Sequence, residues 1–259
     1  MKELLNKKLK IVLSPHYDDL ALSIGGLAKH WKDSENIVED WIIFSFGNYM
    51  ANDENGNNDL SNLRINKVSE KRYQEELNMA SDLKIKTVKK IGCYESIFRD
   101  HHDLMAPSQK PYELTTEDKK TFNKIRQSID PLLDKDIDLF VPLAVGGHYD
   151  HILVREVMLS LMRDKKSQPK ASIFFYEDLP YMAELNWHQK IEIYFIIKKL
   201  NLKKIMVPID LRAKIDLLKY YPSQLDSSHA PGIITRSRFL QYRYMLKTPG
   251  ERIFKFIRS

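Results

Sequence analysis

Residues 8–31 read KLKIVLSPHYDDLALSIGGLAKHW, and this stretch decides the fold. The apolar run Lys8–Leu13 predicts a short buried strand that ends at Ser14-Pro15. After a polar turn, the segment from Leu20 to Trp31 carries apolar residues at helical spacing. The stretch therefore predicts a strand, a loop and a helix in succession, which is the unit of a parallel sheet.

The same alternation continues along the chain. Strands are predicted over Ile37–Phe46, Thr87–Ile91, Leu139–Leu143, Ser172–Tyr176 and Lys204–Val207. Helices are predicted over Leu63–Leu83, Thr116–Leu133, Tyr149–Met162, Leu185–Leu200 and Leu211–Tyr220, and a long loop over Asn52–Asn62. The fold class is therefore predicted to be α/β, with a mostly parallel sheet that has helices on both faces.

Composition excludes several classes of protein. The chain has 259 residues, of which 43% are hydrophobic and 29% charged, so we expect one globular domain over residues 1–259. Its longest apolar runs fall short of the roughly 18 residues of a membrane helix, and we expect no transmembrane segment. The first residues lack the apolar region of a signal peptide, which predicts a cytoplasmic protein. Cys93 is the single cysteine, so any metal must be bound by His, Asp or Glu.

The net charge of +6 is concentrated near the C-terminus. Residues 199–259 contain 13 Lys and Arg against 4 Asp and Glu. We interpret residues 226–259 as a basic C-terminal extension, a half-buried surface element. No nucleic-acid motif accompanies it, and we expect no nucleic-acid partner. An anionic substrate or a membrane surface remains an alternative ligand for this segment.

Two short polar segments follow predicted strands, where parallel sheets bind their ligands. They are Pro15-His16-Tyr17-Asp18-Asp19 and Gly147-His148-Tyr149-Asp150-His151. A catalytic zinc ion takes three protein ligands and keeps one position for water. The side chains of His16, Asp19 and His151 can supply that set.

The other polar residues of the two segments can carry the chemistry. Asp18 can accept a proton from an attacking water, and His148 can donate to a developing oxyanion or leaving amine. Asp150 can then orient His148 by accepting its second ring proton. Each segment alone also fits an ordinary turn in which Asp caps a helix, but the two together favour a metal site.

These two segments, together with Gly25-Gly26, resemble the PIG-L/LmbE-like zinc-dependent N-acetylglucosaminyl deacetylase family. Weaker similarity extends over most of residues 8–225 and includes Arg72-Tyr73-Gln74-Glu75, Tyr176-Glu177-Asp178, Lys214 and Ser223-Gln224. The resemblance implies a Rossmann-like fold and zinc bound by His16, Asp19 and His151, with Fe²⁺ as an alternative ion. It implies Asp18 as general base and His148, with Asp150 behind it, as the electrophilic or acid group.

Three residues are candidates for binding substrate. The resemblance suggests that Arg72 approaches the substrate, although Arg72 and Glu75 also fit a solvated ion pair on one helix face. Tyr17 stands where the family usually has Pro, and it can narrow the pocket or stack on a sugar. Glu177 follows a predicted strand and can line the pocket.

The family glycine that often ends the helix before the third strand is replaced by Lys84.

One further polar segment, Arg99-Asp100-His101-His102-Asp103, has residues of metal-binding type. Adjacent side chains diverge and the segment lacks periodicity. We interpret it as a surface or pocket-rim loop rather than a second metal site.

The sequence thus predicts a metal-dependent amide hydrolase that deacetylates an N-acetylated amino sugar or a sugar conjugate. Two alternatives stay open: an amidase for a non-sugar or thiol-conjugate amide, and a non-catalytic α/β binding module with a structural metal. The expected partner is a small N-acetyl sugar or glycoconjugate. The sequence does not decide between a monomer and a homo-oligomer.

Overall fold

Strands and helices alternate through the part of the chain that the computed structural model describes, namely residues 7–34, 36–51, 53, 56–101, 114–164, 168–185, 187–225 and 229–257. The strands are β1 (Leu9–Ser14), β2 (Ile37–Ile42), β3 (Thr87–Lys90), β4 (Ile137–Pro142), β5 (Ser172–Tyr176), β6 (Leu202–Pro208) and β7 (Gly250–Phe256). The helices are α1 (Asp19–Lys32), α2 (Asn62–Leu83), α3 (Thr116–Ile129), α4 (Tyr149–Asp164), α5 (Tyr181–Glu184), α6 (Trp187–Lys199), α7 (Leu211–Ile215) and α8 (His229–Tyr244).

The strands form one sheet in the order β3-β2-β1-β4-β5-β7-β6. Neighbouring strands from β3 to β5 pair in parallel, which confirms the predicted α/β class with a mostly parallel sheet. β7 is antiparallel to both β5 and β6. The C-terminal segment was expected to be a surface element, and this is wrong for β7, which lies inside the sheet. Residues 226–228 and 258–259 of the expected extension lie outside the described residues.

The two faces of the sheet are both covered by apolar side chains. In β1, Ile11 and Leu13 belong to one buried cluster and Val12 to the other. In β4, Leu139 joins the first cluster and Phe140 the second. The first cluster includes residues of α3 and α4, and the second includes residues of α1 and α2. Burial on both faces explains the nearly continuous apolar runs of these strands.

The residues at the ends of α3 and α2 explain where these two helices stop. The predicted helix Thr116–Leu133 ends at Ile129 and continues as a 3₁₀ turn over Asp130–Asp134, which has a proline in its first turn. α2 ends at Leu83, and the residue that follows it, Lys84, has a left-handed φ of 56°. Glycine adopts that conformation more readily than lysine does. None of the described helices combines the length and apolarity required to cross a membrane.

Helix α1 is interrupted near its middle, and Glu251 of β7 accepts hydrogen bonds from the backbone just after the interruption. Ile24 has non-helical dihedral angles. Beyond it, the backbone N–H groups of Gly26 and Leu27 donate to the carboxylate of Glu251 at 2.9 and 2.8 Å. Lys214 donates to the same carboxylate at 2.6 Å. A buried ion pair from two later segments therefore fixes the helix that begins at the first polar turn.

Candidate metal centre and active site

The turns that follow β1, β4 and β5 meet at one edge of the sheet, because these three strands are adjacent and parallel. They contribute to the wall of a cavity of about 330 Å³. The cavity is lined by His16, Asp18, Asp19, Leu22, Tyr49, Arg72, Glu95, His148, Leu179, Pro180, Tyr181, Gln224, Leu225 and His229. The position is the one that the general rule for parallel sheets predicts.

The structure brings His16, Asp19 and His151 together, although the two histidines are far apart in the sequence. One ligand-type atom from each residue lies within 4.8 Å of the others, and all three residues are buried. The Oδ2 atom of Asp19 is 3.6 Å from Nδ1 of His16, and its Oδ1 atom is 3.5 Å from Nε2 of His151. Two imidazole nitrogens and a carboxylate therefore converge on one point.

The orientation of His151 suits a bound cation. Its Nδ1 atom is 2.6 Å from Oδ1 of Asp178, which as a carboxylate can only accept. Nδ1 is therefore the donor to Asp178, and Nε2 is the ring atom that faces Asp19. That Nε2 atom is buried and has no hydrogen-bond partner among the residues that the structure describes. An imidazole nitrogen left without a partner beside a carboxylate fits a divalent ion of the zinc type.

The charges around these residues also attract a cation. Burial lowers the pKa of His151, but the carboxylates of Asp19 and Asp178 raise it more, to about 9. In the same way burial lowers the pKa of His16, and Asp150 raises it above the usual value. The acidic groups thus favour positive charge at the point where the ligand atoms converge.

Asp150 holds His16, which corrects the expectation that it accepts a proton from His148. Oδ2 of Asp150 lies 2.8 Å from Nε2 of His16, so Nδ1 of that ring faces Asp19. Burial raises the pKa of Asp150, but Arg99 and the hydrogen bond from His16 lower it well below its usual value. A second group of His16, His148 and Asp150 is also compact, but Asp150 is already bonded to Arg99 and His16.

His148 lines the cavity as a neutral hydrogen-bond donor. The backbone N–H of Asp150 donates to Nδ1 of His148 at 3.2 Å, so the neutral ring carries its proton on Nε2. Burial and the charge of His16 lower the pKa of His148 well below its usual value. The ring therefore has an N–H group on Nε2 that is available to the cavity.

The three expected substrate-binding residues occupy different places. Arg72 lines the cavity and is paired with Glu95, not with Glu75. Tyr17 is buried; it lies under the Arg72 guanidinium, 5.5 Å from ring centroid to Cζ, and its hydroxyl donates to the Ser45 carbonyl at 3.2 Å. Tyr17 therefore supports Arg72 instead of narrowing the pocket or stacking on a sugar.

Two other expectations are corrected by buried contacts. The carboxylate of Glu177 is held by Arg236 and Arg252 and is not part of the cavity wall. Glu75 accepts hydrogen bonds from the backbone N–H and the hydroxyl of Ser223, at 3.1 and 2.6 Å. The proposed helix-face pair of Arg72 and Glu75 is therefore absent.

Sequence reasoning missed the roles of Asp178 and Arg99. Asp178 orients His151, and its position two residues after β5 was the available signal. Arg99 is 2% exposed and does not line the cavity, so the expected surface or pocket-rim loop is wrong at this residue. His102 and Asp103 of the same segment lie outside the described residues. The cavity is also lined by Glu95, Tyr49 and His229, which come from segments that carry no motif.

Comparison with protein families gives one match that covers more than half of the chain. The PIG-L family model, described as GlcNAc-PI de-N-acetylase, matches residues 11–162. A curated relative, 2'-N-acetylparomamine deacetylase of Streptomyces fradiae, is 26% identical over 189 residues. That alignment covers 71% of this chain and 61% of the relative, so the chain matches less than two thirds of that protein.

Solved structures share the fold along nearly the whole chain. The zinc-inhibited form of teicoplanin deacetylase Orf2 has a TM-score of 0.69 and 17% identity, over 97% of this chain and 98% of that one. The N,N'-diacetylchitobiose deacetylase from Pyrococcus horikoshii has a TM-score of 0.61 and 17% identity, over 96% of this chain and 84% of that one. At such identities the likeness shows a common fold.

Proposed function

The chain belongs to the PIG-L family, and from this we propose that it is a metal-dependent hydrolase that removes the acetyl group from an N-acetylated amino sugar or sugar conjugate. One observation carries the proposal: the buried Nε2 atom of His151 has no hydrogen-bond partner in the described part of the chain and faces Asp19 beside the cavity. The names of the relatives, which are deacetylases of acetylated sugar compounds, support the substrate class.

His16, Asp19 and His151 would hold the cation, and we propose zinc because two imidazoles and one carboxylate are a common zinc ligand set. The name of the zinc-inhibited teicoplanin deacetylase is consistent with zinc binding in this fold. When bound, such an ion polarises an amide carbonyl and lowers the pKa of water, which are the two requirements of amide hydrolysis at neutral pH.

Asp18 would then transfer a proton, and His148 would stabilise the negative charge that develops during the reaction. Both line the cavity next to the candidate ligands. Asp18 would accept a proton from the attacking water and return it to the amine nitrogen as the C–N bond breaks. The Nε2–H of His148 would donate to the acetyl oxygen, where negative charge develops during attack. The products are acetate and the free amino sugar.

The rest of the cavity wall suits a sugar. Tyr49 and Tyr181 contribute aromatic rings, and Arg72, Glu95 and Gln224 contribute polar groups. Stacking on an apolar ring face combined with hydrogen bonds to hydroxyl groups is the usual way to bind a small polar ligand. The volume of about 330 Å³ lies within the range of small-molecule sites.

The proposal is tested with metal-loaded protein and a panel of N-acetylated amino sugars. Wild-type protein should release acetate from at least one of them. Asp18→Asn should bind zinc as the wild type does but lower kcat by about 10²–10⁴-fold. Asp82→Asn is the matched control, because Asp82 pairs with Lys29 and Lys32 away from the cavity. Tight zinc binding with no turnover of any amide would favour a binding module and reject the hydrolase.

A further inference from the structure

Arg99 is a buried cation directly behind the candidate metal centre. It follows a 3₁₀ turn over Ser96–Phe98 and does not line the cavity. Its Nη2 atom donates to Oδ1 of Asp150 at 2.7 Å, and its Nε atom donates to Oδ1 of Asp118 at 2.9 Å. The guanidinium also lies 4.6 Å from the ring centre of Phe44. The planar guanidinium group therefore bonds to two buried carboxylates, and packing against Phe44 holds it in place.

Asp118 anchors this arrangement to the start of α3. Its side chain accepts the N–H of Thr115 at 3.1 Å, and the Thr115 hydroxyl accepts the N–H of Asp118 at 3.0 Å, which forms a capping box. Nε2 of His101 lies 2.9 Å from the second oxygen of Asp118, and the His101 ring stacks on Tyr149, the first residue of α4. The Asp118 carboxylate that binds Arg99 is therefore fixed by the start of α3 and, through His101, by the start of α4.

The contacts of Arg99 continue to a candidate metal ligand. Asp150 uses one oxygen for Arg99 and the other for Nε2 of His16, at 2.7 and 2.8 Å. The carboxylate therefore holds Nε2 of His16 towards itself and leaves Nδ1 facing Asp19. Arg99 in turn fixes the position of the Asp150 carboxylate.

We propose that Arg99 is a positioning residue for the metal centre, which sets the ring orientation of His16 through Asp150. The inference rests on the proposed function, since it concerns the same site. Lysine would keep the charge, but it lacks the planar fork that reaches Asp150 and Asp118 together. Methionine would remove the charge and fill a similar volume.

The first experiment determines crystal structures of the metal-free wild type and of Arg99→Met and Arg99→Lys, and it reads the orientation of the His16 ring. In the wild type, Nε2 of His16 should face Asp150 and Nδ1 should face Asp19. Both variants should lose this orientation as the Asp150 carboxylate shifts. Retention of the wild-type ring orientation in Arg99→Lys, and in Arg99→Met if it folds, overturns the proposal. Because no metal or substrate is added, failure to hydrolyse any acetamido sugar would contradict the proposed function and leave this test intact.

The second experiment measures zinc affinity by competition with a chromogenic chelator. Loss of an outer contact to a metal ligand typically lowers affinity by about 10–100-fold, and we expect this for Arg99→Met, with Arg99→Lys in between. Lys10→Met is the matched control, since Lys10 also pairs with a buried carboxylate, Asp138, at 2.6 Å, but at the opposite end of β1. If Lys10→Met weakens zinc binding as much as Arg99→Met, the effect is general destabilisation and the proposal is wrong.

Discussion

Asp178 binds Nδ1 of His151 at 2.6 Å with one carboxylate oxygen and the backbone N–H of Val145 at 2.9 Å with the other. The carboxylate is thus fixed by the chain itself, and it fixes the ring in turn. This contact determines that Nε2 of His151 is the atom available to a cation.

Asp178→Asn should weaken zinc binding by about 10–100-fold, because an amide stabilises the proton on Nδ1 less than a carboxylate does. The affinity is measured by chelator competition at neutral pH. Asp138→Asn is the control, since Asp138 is equally buried but pairs with Lys10 at the far end of the strands. Equal affinities of Asp178→Asn and wild type would show that the contact does not matter for metal binding.

His148→Phe should lower kcat by about 10²–10³-fold, as expected when one hydrogen bond to the developing oxyanion is lost. His148→Gln retains an N–H donor and should keep a larger part of the activity. Both variants should bind zinc as the wild type does, because His148 is not in the proposed ligand set. The kcat values are measured by steady-state kinetics on the N-acetyl sugar that the wild type hydrolyses fastest. Similar kcat values for the two variants would rule out a donor role.

The stability of the protein should depend on pH through Asp40 and Glu76. Burial raises the pKa of Asp40 to about 7 and that of Glu76 well above its usual value. One oxygen of each is buried without a donor, while Ser14 and Tyr221 donate to the other oxygens at 2.6 and 2.7 Å. We interpret the two carboxyl groups as sharing a proton in the folded state.

Between pH 4 and 7 the unfolded chain releases this proton while the folded chain keeps it, so the free energy of unfolding should fall as pH rises. The loss is about 1.4 kcal/mol per pH unit for each full proton of difference. Asp40→Asn can donate to Glu76 and accept from Ser14, so its stability should fall less between pH 5 and 8. Urea unfolding of both proteins with a chelator present measures this. Parallel pH profiles would contradict the shared proton.

Gly26 lies where α1 approaches the chain after β6. A Cβ at residue 26 would come within 2.7 Å of Cβ of Ile209, which is too close for either group to accommodate. Gly26→Ala should therefore reduce the free energy of unfolding by about 1–3 kcal/mol. Gly232→Ala is the control, because its Cβ would meet Ala183 at an ordinary 3.5 Å. We expect it to be neutral or stabilising, and an equal loss in both variants would reject the packing explanation.

The order of strands and helices was predictable because periodicity in the sequence records burial. A strand buried on both faces needs a continuous apolar run, and β1 and β4 have one. The convergence of the first two polar turns followed from the same reasoning, since adjacent parallel strands end at one edge. The ring centres of His16 and His151 are 5.3 Å apart in the structure.

The sequence could not show which buried charges would pair. Asp150 binds His16, 134 positions away, instead of the nearby His148, and Glu177 is occupied by Arg236 and Arg252 instead of facing substrate. Both choices depend on distances between segments that meet only after folding. Local spacing carries no information about them.

By itself the sequence determined the α/β class, the edge of the sheet where the two polar turns meet and the three side chains that converge there. Only the tertiary structure decided that β7 enters the sheet between β5 and β6, that Asp178 and Asp150 orient the two histidines and that Arg99 is buried behind them. The physical reason is that burial patterns are local properties of a chain, whereas the pairing of buried polar groups depends on geometry that the whole fold creates.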